Sequence, residues 1–447
     1  MIIGRSALIW ILPLLVLFLG ITPDPVLAQQ APPPPAAPPA AAAPPAAPAA
    51  AAASYEVWVI DQSDSSKDGG GTLYIYDGES LSKDAKSAKA ETLDLGDKFA
   101  EACKETGGYP KRPHMLFFTK DGRYGILSYV ASGHVVFLDA AARAPIGCVS
   151  LGKNAHAAYP APNMKVAIGA NIAEKKLVRI WTDYANKKFT INPPNDVVAL
   201  APLEAAGLPD MSPICPIVEN KSQFVFVTPR GGGLVVFDLA TSPLTPSGSL
   251  TRDAVKPAGC GGVQIGTHMY LNSGGGWPAT PLNHDVYNFT TMSLPEVSVP
   301  IRIGGRDGGD SHGMVAVNNR YIWAGDRHLN TIDVYDSKND DLKVGSIFLA
   351  GDVSKDPAPD LMDSAPDGSY VFAALRGPSP LTGNNKDVGN AVGSTPGVGV
   401  IKVEDGGRRG TFVGIAPISK MVEEKDKDGN PVKAEKADPH GIQVRKK

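Results

Sequence analysis

Four histidines recur in one sequence context, and their type and spacing point to chemistry. His114 lies in KRPHMLFFTKDGRYGILSY, and related phrases carry His156 (NAHAAYPAPNMKVAIGAN), His312 (DSHGMVAVNNRYIWAGD) and His440 (ADPHGIQVRKK). Neutral imidazoles bind late transition metals such as copper or zinc, whereas protonated imidazoles attract anions. Either chemistry requires a fold that brings four distant segments to one place.

The elements that position these histidines repeat along the chain. The phrases of His114, His156 and His312 each have an apolar strand, a turn rich in Asp, Asn and Gly, and a second apolar strand, whereas that of His440 has the first strand alone. Two further strands follow, and an aspartate closes the first of them. These aspartates are Asp77, Asp139, Asp238 and Asp336. Four strands per period predict an all-β propeller built of four-stranded blades.

The number of first strands predicts seven blades. They begin near His114, His156, Cys215, Cys260, His312, Asp360 and His440. The last has no strands after it, and the half-unit from YEVWVIDQ onward has no first strand before it. We therefore predict that the C-terminal strand completes the N-terminal blade and closes the ring. The blades are long, and we place insertions at residues 185–213, 272–299, 376–397 and 419–437.

The blade phrase resembles that of the YVTN/YncE-like superfamily of seven-bladed β-propellers. RPHMLFFTKDGRYGILSY…GHVVFLD is the most similar copy, and the resemblance extends over residues 54–447. It implies the propeller fold for that whole region. Relatives include lactonase-like propellers and the haem-carrying propeller of a periplasmic nitrite reductase, so the resemblance implies no single reaction.

In a propeller, the first strand of each blade lines the central channel, so residues at equivalent positions surround one channel mouth. The residues we expect in this register are His114, His156, His312, His440, Cys215, Cys260 and Asp360. The four histidines predict a copper or zinc site. The alternative is that the histidines only pack between blades.

Cations near the same rim support a second hypothesis, a site for a small anionic ligand or a protein partner. Arg112 precedes His114, and Arg376 ends the second strand of the last blade. Arginine binds carboxylates and phosphates through two parallel hydrogen bonds. Together with the four histidines and Asp360, these arginines form the predicted ligand site.

The first 53 residues predict export. Arg5, the apolar run 7–20 and the small residues Val26 and Ala28 predict a signal peptide over residues 1–28. The alternative is an uncleaved membrane anchor, although the apolar run is short beside a span of about 20 residues. Residues 29–53 are almost entirely Ala and Pro, which predicts an extended tether. We therefore expect a periplasmic or secreted protein.

The cysteines and the charge constrain the class further. Four cysteines in an exported chain predict disulfides, and the candidate pairs are Cys103 with Cys148 and Cys215 with Cys260. The net charge is −3 and the lysines and arginines are scattered, so no nucleic-acid surface is indicated. We expect a monomer.

Our leading hypothesis is an exported propeller that binds a ligand or a partner at a channel mouth lined by histidine and arginine. One alternative is a copper- or zinc-dependent enzyme that uses the same histidines. Another is a lactonase-like hydrolase, which the resemblance alone implies. The sequence contains no HExxH motif and leaves enzyme activity open.

Overall fold

The computed structural model describes residues 54–63, 70–205, 207–275, 281–290 and 300–447, apart from two side chains in the segment 97–98. The predicted signal peptide (1–28) and tether (29–53) lie outside the described residues. Among the helices of the described residues, none is long and apolar enough to cross a membrane.

Strands dominate the described residues, and helices are confined to short connections. In chain order the strands are β1 (Tyr55–Asp61), β2 (Thr72–Asp77), β3 (Ala90–Asp94), β4 (Pro113–Phe118), β5 (Tyr124–Tyr129), β6 (His134–Asp139), β7 (Ala144–Ser150), β8 (Ala157–Pro160), β9 (Val166–Asn171), β10 (Lys176–Asp183), β11 (Lys188–Thr190), β12 (Val197–Ala199), β13 (Pro213–Val218), β14 (Phe224–Pro229), β15 (Leu234–Asp238), β16 (Thr245–Leu250), β17 (Gly262–Ile265), β18 (His268–Ser273), β19 (Asn283–Thr290), β20 (Ile301–Asp307), β21 (Ser311–Val317), β22 (Tyr321–Asp326), β23 (Thr331–Asp336), β24 (Leu342–Phe348), β25 (Pro359–Ser364), β26 (Tyr370–Leu375), β27 (Gly397–Glu404), β28 (Arg409–Pro417), β29 (Met421–Lys425), β30 (Pro431–Glu435) and β31 (Pro439–Lys446). The helices are α1 (Gly78–Lys83), α2 (Asp97–Ala102) and α3 (Ala201–Glu204), with 3₁₀ turns at Lys104–Thr106 and Asp405–Gly407.

The strands form seven antiparallel blades, as predicted. Blade 1 combines β31 with β1, β2 and β3. Blades 2 to 7 are β4–β7, β8–β11, β13–β16, β17–β20, β21–β24 and β25–β28. The strand β12 adds an edge to blade 3 by pairing with β10. The first strands of neighbouring blades contact each other, for example β31 with both β4 and β25, so these strands enclose the central channel.

The C-terminal strand closes the ring. β31 pairs with β1 in antiparallel register, which places Ile442 opposite Val59. Both side chains are fully buried. This pairing covers the inner edge of β1, which would otherwise present unpaired backbone groups.

An Asp-Gly turn joins the first two strands of a blade and fixes their register. In blade 2, Asp121 Oδ1 accepts the hydroxyl of Thr119 at 2.7 Å and the backbone N–H of Arg123 at 3.1 Å. Gly122 follows with a φ of 69°, a left-handed conformation that glycine adopts without a Cβ clash. The register that this turn sets determines which residues begin the first strand.

Neighbouring blades pack face to face through apolar side chains. Trp58 of blade 1 meets Phe118 of blade 2 edge-on with ring centroids 5.1 Å apart. Phe137 of blade 2 stacks on Phe189 of blade 3 at 3.9 Å. Because close-packed interiors have few voids, these contacts hold the inner strands at fixed positions around the channel.

The insertions are confirmed in part. The segment 419–437 contains the two-stranded hairpin β29–β30, and the segment 185–213 contains β11, β12 and α3. The prediction of an insertion at 272–299 is wrong in part, because β19 lies inside it as the third strand of blade 5. The sequence NHDVYNFT of β19 is too polar to predict a buried strand.

Both candidate disulfides are formed. Cys103 bonds Cys148 of β7 with the Cα atoms 5.1 Å apart, and Cys215 of β13 bonds the residue Cys260 with the Cα atoms 5.0 Å apart. The first ties the end of α2 to the outer strand of blade 2, and the second joins blades 4 and 5. The two sulfurs that we expected at the channel mouth are therefore not free to bind a metal.

Candidate functional site

The four predicted histidines line one cavity at an end of the channel. His114, His156, His312 and His440 bound a space of about 320 Å³, which we call the histidine cavity. The ring of His114 stacks on that of His440 with centroids 3.9 Å apart and meets the ring of His156 at 4.5 Å. The ring of His312 lies 5.6 Å from that of His440. Four segments that are far apart in the chain thus meet at one place.

An irregularity in strand pairing accompanies the repeated position. The pairing of β4 with β5 shifts register at His114, and similar shifts occur at His440 in β31 and at His312 in β21. Such a bulge changes the direction of a side chain that a regular pleat would aim into the blade. In blade 4 the register shift falls at Ile214, which lines the histidine cavity, and not at Cys215 as we expected.

In three of the four imidazole rings, one nitrogen lies within hydrogen-bond distance of an acceptor oxygen. The Nδ1 atom of His156 lies 2.8 Å from the carbonyl oxygen of Ile214, and that of His440 lies 3.0 Å from the carbonyl oxygen of His114. The Nδ1 atom of His114 lies 2.8 Å from Oε1 of Gln62. Carbonyl oxygens can only accept, so Nδ1 carries the proton in each ring. In a neutral imidazole, Nε2 then carries a lone pair.

The amide of Gln62 is itself oriented. Its Nε2 donates to Asp438 Oδ2 at 3.1 Å, whereas Thr382 Oγ1 lies 3.0 Å from Nε2 and 3.1 Å from Oε1 and suits either orientation. The reversed amide would place its oxygen against the carboxylate of Asp438. Oε1 is therefore the atom that faces His114.

Burial keeps the imidazoles neutral. It lowers the pKa of His156 to about 4 and that of His440 to about 3, although the carboxylate of Asp360 acts in the opposite direction. Burial also holds the pKa of His114 and of His312 well below the usual value, with nearby imidazoles and guanidiniums adding to the effect. Uncharged imidazole is the form that binds metal ions.

A buried layer of ion pairs lies behind the rings. Arg376 donates to Asp360 and, through Nε at 2.6 Å, to Asp438. Arg327 donates to Asp310 and lies 3.4 Å from Asp360 Oδ1. Burial would raise the pKa of Asp360, but the neighbouring imidazoles and guanidiniums lower it below its usual range.

This layer carries more negative than positive charge. Burial raises the pKa of Asp310 and Asp438. The guanidiniums of Arg327 at Asp310 and of Arg376 at Asp438 act in the opposite direction and favour the carboxylate form of each. Three carboxylates then face two guanidiniums. Arg327 and Lys386 are the cations in the cavity wall, and the basic rim that we expected stays a prediction.

The structure separates the remaining predicted site residues. Asp360 and Arg376 are completely buried behind the histidines. Arg112 has a positive φ of 58° before β4, and it is not among the residues that bound the cavity. Arg327, which is 3% exposed, does line the cavity. Neither predicted arginine therefore presents a free guanidinium to the cavity.

The predicted insertion at 376–397 covers the histidine cavity. Its residues 380–384 form part of the cavity wall. The carbonyl oxygen of Thr382 accepts a hydrogen bond from Arg376 at 2.9 Å, and that of Gly383 accepts one from Arg327 at 2.8 Å. The loop is thus anchored to the buried ion pairs.

Sequence reasoning missed Gln62, Asp310 and Asp438. Asp438 could have been noticed, because it precedes the Pro-His pair of the last phrase where Arg112 precedes that of the first. Gln62 follows the first strand of the N-terminal half-unit and carries no repeat signal. Its contact with His114 joins blades 1 and 2, and its contact with Asp438 depends on ring closure.

A further group of potential ligands includes an acid. Atoms of His312, Asp360 and His440 lie within 4.8 Å of one another. His312 Nε2 is 3.1 Å from Asp360 Oδ1, yet this buried nitrogen makes no hydrogen bond of acceptable geometry in the described structure. The oxygens of Asp360 are already engaged by guanidiniums, so Asp360 is better placed to orient the rings than to bind a metal.

Comparison with known proteins supports the fold alone. No protein-family model matches the chain, and no curated protein matches it. A solved structure of a protein from Lactobacillus plantarum is similar with a TM-score of 0.56 and 10% identity, over 88% of this chain and 99% of that chain. A putative 6-phosphogluconolactonase from Bacteroides uniformis and the periplasmic gluconolactonase of Pseudomonas aeruginosa each have a TM-score of 0.53 and 12% identity, over 88% of this chain and 99% of theirs.

The fold therefore defines a class. The chain is a seven-bladed β-propeller whose structural neighbours include lactonase-like propellers. At these identities the likeness says nothing about the chemistry of the site.

Proposed function

We propose that this protein is an exported binding module whose ligand site is the histidine cavity. The observation that carries the proposal is the convergence of four imidazoles from four blades on one space of about 320 Å³. Small-ligand sites are concave, measure about 300–1,000 Å³, and combine an apolar lining with a few convergent polar groups. The histidine cavity has this composition, since Ile172 and Ile214 lie among its polar wall residues.

The site is built before any ligand arrives. Fixed acceptors hold three of the rings, and two arginines hold the covering loop. Binding to such a site orders few additional groups, which favours affinity.

Export is part of the proposal. Two disulfides are typical of proteins that fold in an oxidising compartment, and the N-terminal sequence predicts a signal peptide. We also propose the YVTN/YncE-like assignment on the repeated blade phrase. A lactonase activity has no specific observation in its favour beyond fold, so sugar lactones enter the test below as one class of ligand.

Two tryptophan variants test the site. Ile172→Trp narrows the histidine cavity without changing a histidine or a charge, and Ile301→Trp adds the same side chain at a position of β20 that is 64% exposed. Native mass spectrometry of tag-free protein from its own host, with thermal-shift assays, would compare them with wild type. The assays would use small carboxylates, phosphates, sugar lactones and divalent metals.

We expect wild type and Ile301→Trp to carry or respond to a ligand and Ile172→Trp to respond at least about tenfold more weakly. Equal responses from all three proteins, or no ligand and no response in wild type, would overturn the proposal.

A further inference from the structure

The geometry points to a late-transition-metal ion, with Cu²⁺ preferred, as the ligand of the histidine cavity, bound by Nε2 of His114 and His156. This inference deepens the proposed function and rests on it. The inference requires the ligand to be a metal cation. The proposed function is more general, because an organic molecule bound in the same cavity would also satisfy it.

The first step is a contact between two nitrogens. The Nε2 atoms of His114 and His156 lie 3.0 Å apart. Each ring already donates its Nδ1 proton to an oxygen, so both Nε2 atoms present lone pairs to each other. Two lone pairs at this distance repel unless a proton or a metal ion lies with them.

A proton resolves the conflict poorly. Moving the proton of His156 from Nδ1 to Nε2 would leave the carbonyl oxygen of Ile214 facing a lone pair at 2.8 Å. Moving that of His114 would do the same at Gln62. Adding a proton instead would create an imidazolium at His114, which is 1% exposed, or at His156, which is 7% exposed. A buried charge without a paired carboxylate is unfavourable. A bound metal ion satisfies both lone pairs without these losses.

The hydrogen-bond pattern is the one that metal-bound histidines use. A ligating imidazole commonly donates its second nitrogen to a carbonyl or carboxylate oxygen, which fixes the tautomer and aims the other nitrogen at the metal. His114, His156 and His440 all have this arrangement. The ring of His440 stacks on that of His114 at 3.9 Å and its Nε2 lies 3.6 Å from Asp360 Oδ2, so His440 packs against a ligand ring and is not counted as a ligand.

The charge behind the rings favours a cation. Asp310, Asp360 and Asp438 outnumber the two guanidiniums with which they pair. An anion in the cavity would face neutral rings with this layer behind them, and of the cations in the wall, Arg327 and Lys386, the first is already paired with Asp310. A divalent metal ion would face lone pairs and be attracted by that layer.

The type of the ligating atoms bears on the metal. The 3.0 Å separation of the two nitrogens is short enough for both to bind one ion with metal–nitrogen bonds of about 2.0–2.1 Å. A given nitrogen site binds Cu²⁺ more tightly than the other divalent first-row metals, Zn²⁺ included, so we prefer copper and treat zinc as the competitor.

Metal titration of tag-free, chelator-treated full-length protein tests the inference. Dialysis against excess CuCl2 or ZnCl2 followed by elemental analysis gives the stoichiometry, and competition with a chromogenic chelator gives Kd. Electron paramagnetic resonance reports nitrogen ligands to Cu²⁺ directly. The variants are His156→Gln and the double variant His114→Gln, His156→Gln. The control is His268→Gln, which changes an exposed histidine bonded to Asn288.

We expect one Cu²⁺ per wild-type chain, an unchanged Kd in the control and a Kd at least about 100-fold weaker in the double variant. If the double variant does not fold, two other measurements test the inference. They are the nitrogen couplings in the electron paramagnetic resonance spectrum of wild type with Cu²⁺ and the Kd of His156→Gln. Wild type that binds no metal, or a Kd or spectrum insensitive to these histidines, overturns the inference. In that case the proposed function still holds if an organic ligand binds wild type more tightly than Ile172→Trp. If no organic ligand does so, the proposed function is overturned together with the inference.

Discussion

Arg376 and Asp438 form a completely buried, two-point ion pair where the ring closes. The Nε and Nη2 atoms of Arg376 at the end of β26 lie 2.6 and 3.0 Å from the carboxylate oxygens of Asp438, which precedes β31. Arg376 also donates to Asp360 and to the loop that covers the histidine cavity. One side chain therefore connects blade 7, the closing strand and the candidate site.

Replacing Arg376 should be strongly destabilising. Arg376→Met would leave Asp360 and Asp438 as buried carboxylates without their main partner, and breaking a buried pair in this way costs about 3–5 kcal/mol. Urea unfolding followed by circular dichroism measures the loss. Arg409→Met is the control, because Arg409 forms an exposed i,i+4 pair with Asp405 and should change stability by less than about 1 kcal/mol. Similar effects of both substitutions would contradict this account of the seam.

Removing the closing strand should prevent folding. A deletion of residues 438–447 uncovers the inner edge of β1 and removes both Asp438 and His440. We expect aggregation or failure of soluble export, since an exposed strand edge is a template for pairing with other chains. The matched control replaces residues 421–435 with a short Gly-Ser linker. That segment forms the hairpin β29–β30 outside the blades, so the control should remain soluble and fold.

The fold could be predicted from sequence and the site only in part. The repeated strand-turn-strand phrase recurs with its Asp-Gly turn, so blade number and ring closure follow from periodicity. The same repeat placed His114, His156, His312 and His440 together. Periodicity cannot show that Asp438 neutralises Arg376, because Asp438 comes from blade 1 and meets Arg376 of blade 7 only in the closed ring. The β-bulge that puts Ile214 in place of Cys215 is likewise a backbone feature with no sequence signature.

Each disulfide should contribute to stability. The pairs Cys103–Cys148 and Cys215–Cys260 each close a loop with a sequence separation of 45 residues, for which restriction of the unfolded chain predicts about 2–4 kcal/mol. The double substitutions Cys103→Ala, Cys148→Ala and Cys215→Ala, Cys260→Ala should each lower the free energy of unfolding by that amount. Non-reducing mass spectrometry of wild type should detect no free thiol. A reduced protein from the native compartment would contradict both pairings.

Acidification should destabilise the chelator-treated protein through its histidines. The folded-state pKa of His156 is about 4, below the ordinary value near 6.5, so the unfolded chain takes up the proton first. Stability that is complete above about pH 6.5 is then lost as the pH falls towards 4, by on the order of 3 kcal/mol for this residue. Burial raises the pKa of Asp61 to about 6, which acts in the opposite direction. The measurement is therefore the difference between wild type and His156→Gln in urea unfolding at pH 7, 6 and 5, and parallel pH profiles would contradict the prediction.

Gln62 should position His114 for metal binding without touching the metal. Its Oε1 atom is the acceptor that keeps the proton of His114 on Nδ1 and the lone pair on Nε2. In Gln62→Ala this acceptor is lost and the other tautomer becomes accessible, so we expect Cu²⁺ affinity to fall by about 10–100-fold, as is typical when a partner of a ligating histidine is removed.

The matched control for Gln62 is Gln264→Ala in β17, where the side-chain amide bonds backbone groups at Asn220 and Gly266. Its Kd for Cu²⁺ should match that of wild type. Nitrogen-15 NMR of the chelator-treated protein provides a readout that does not depend on metal, because it distinguishes the two tautomers of His114. If Gln62→Ala lowers the melting temperature but changes neither the tautomer nor the Kd, Gln62 only packs against the ring and the closed seam does not tune the candidate site.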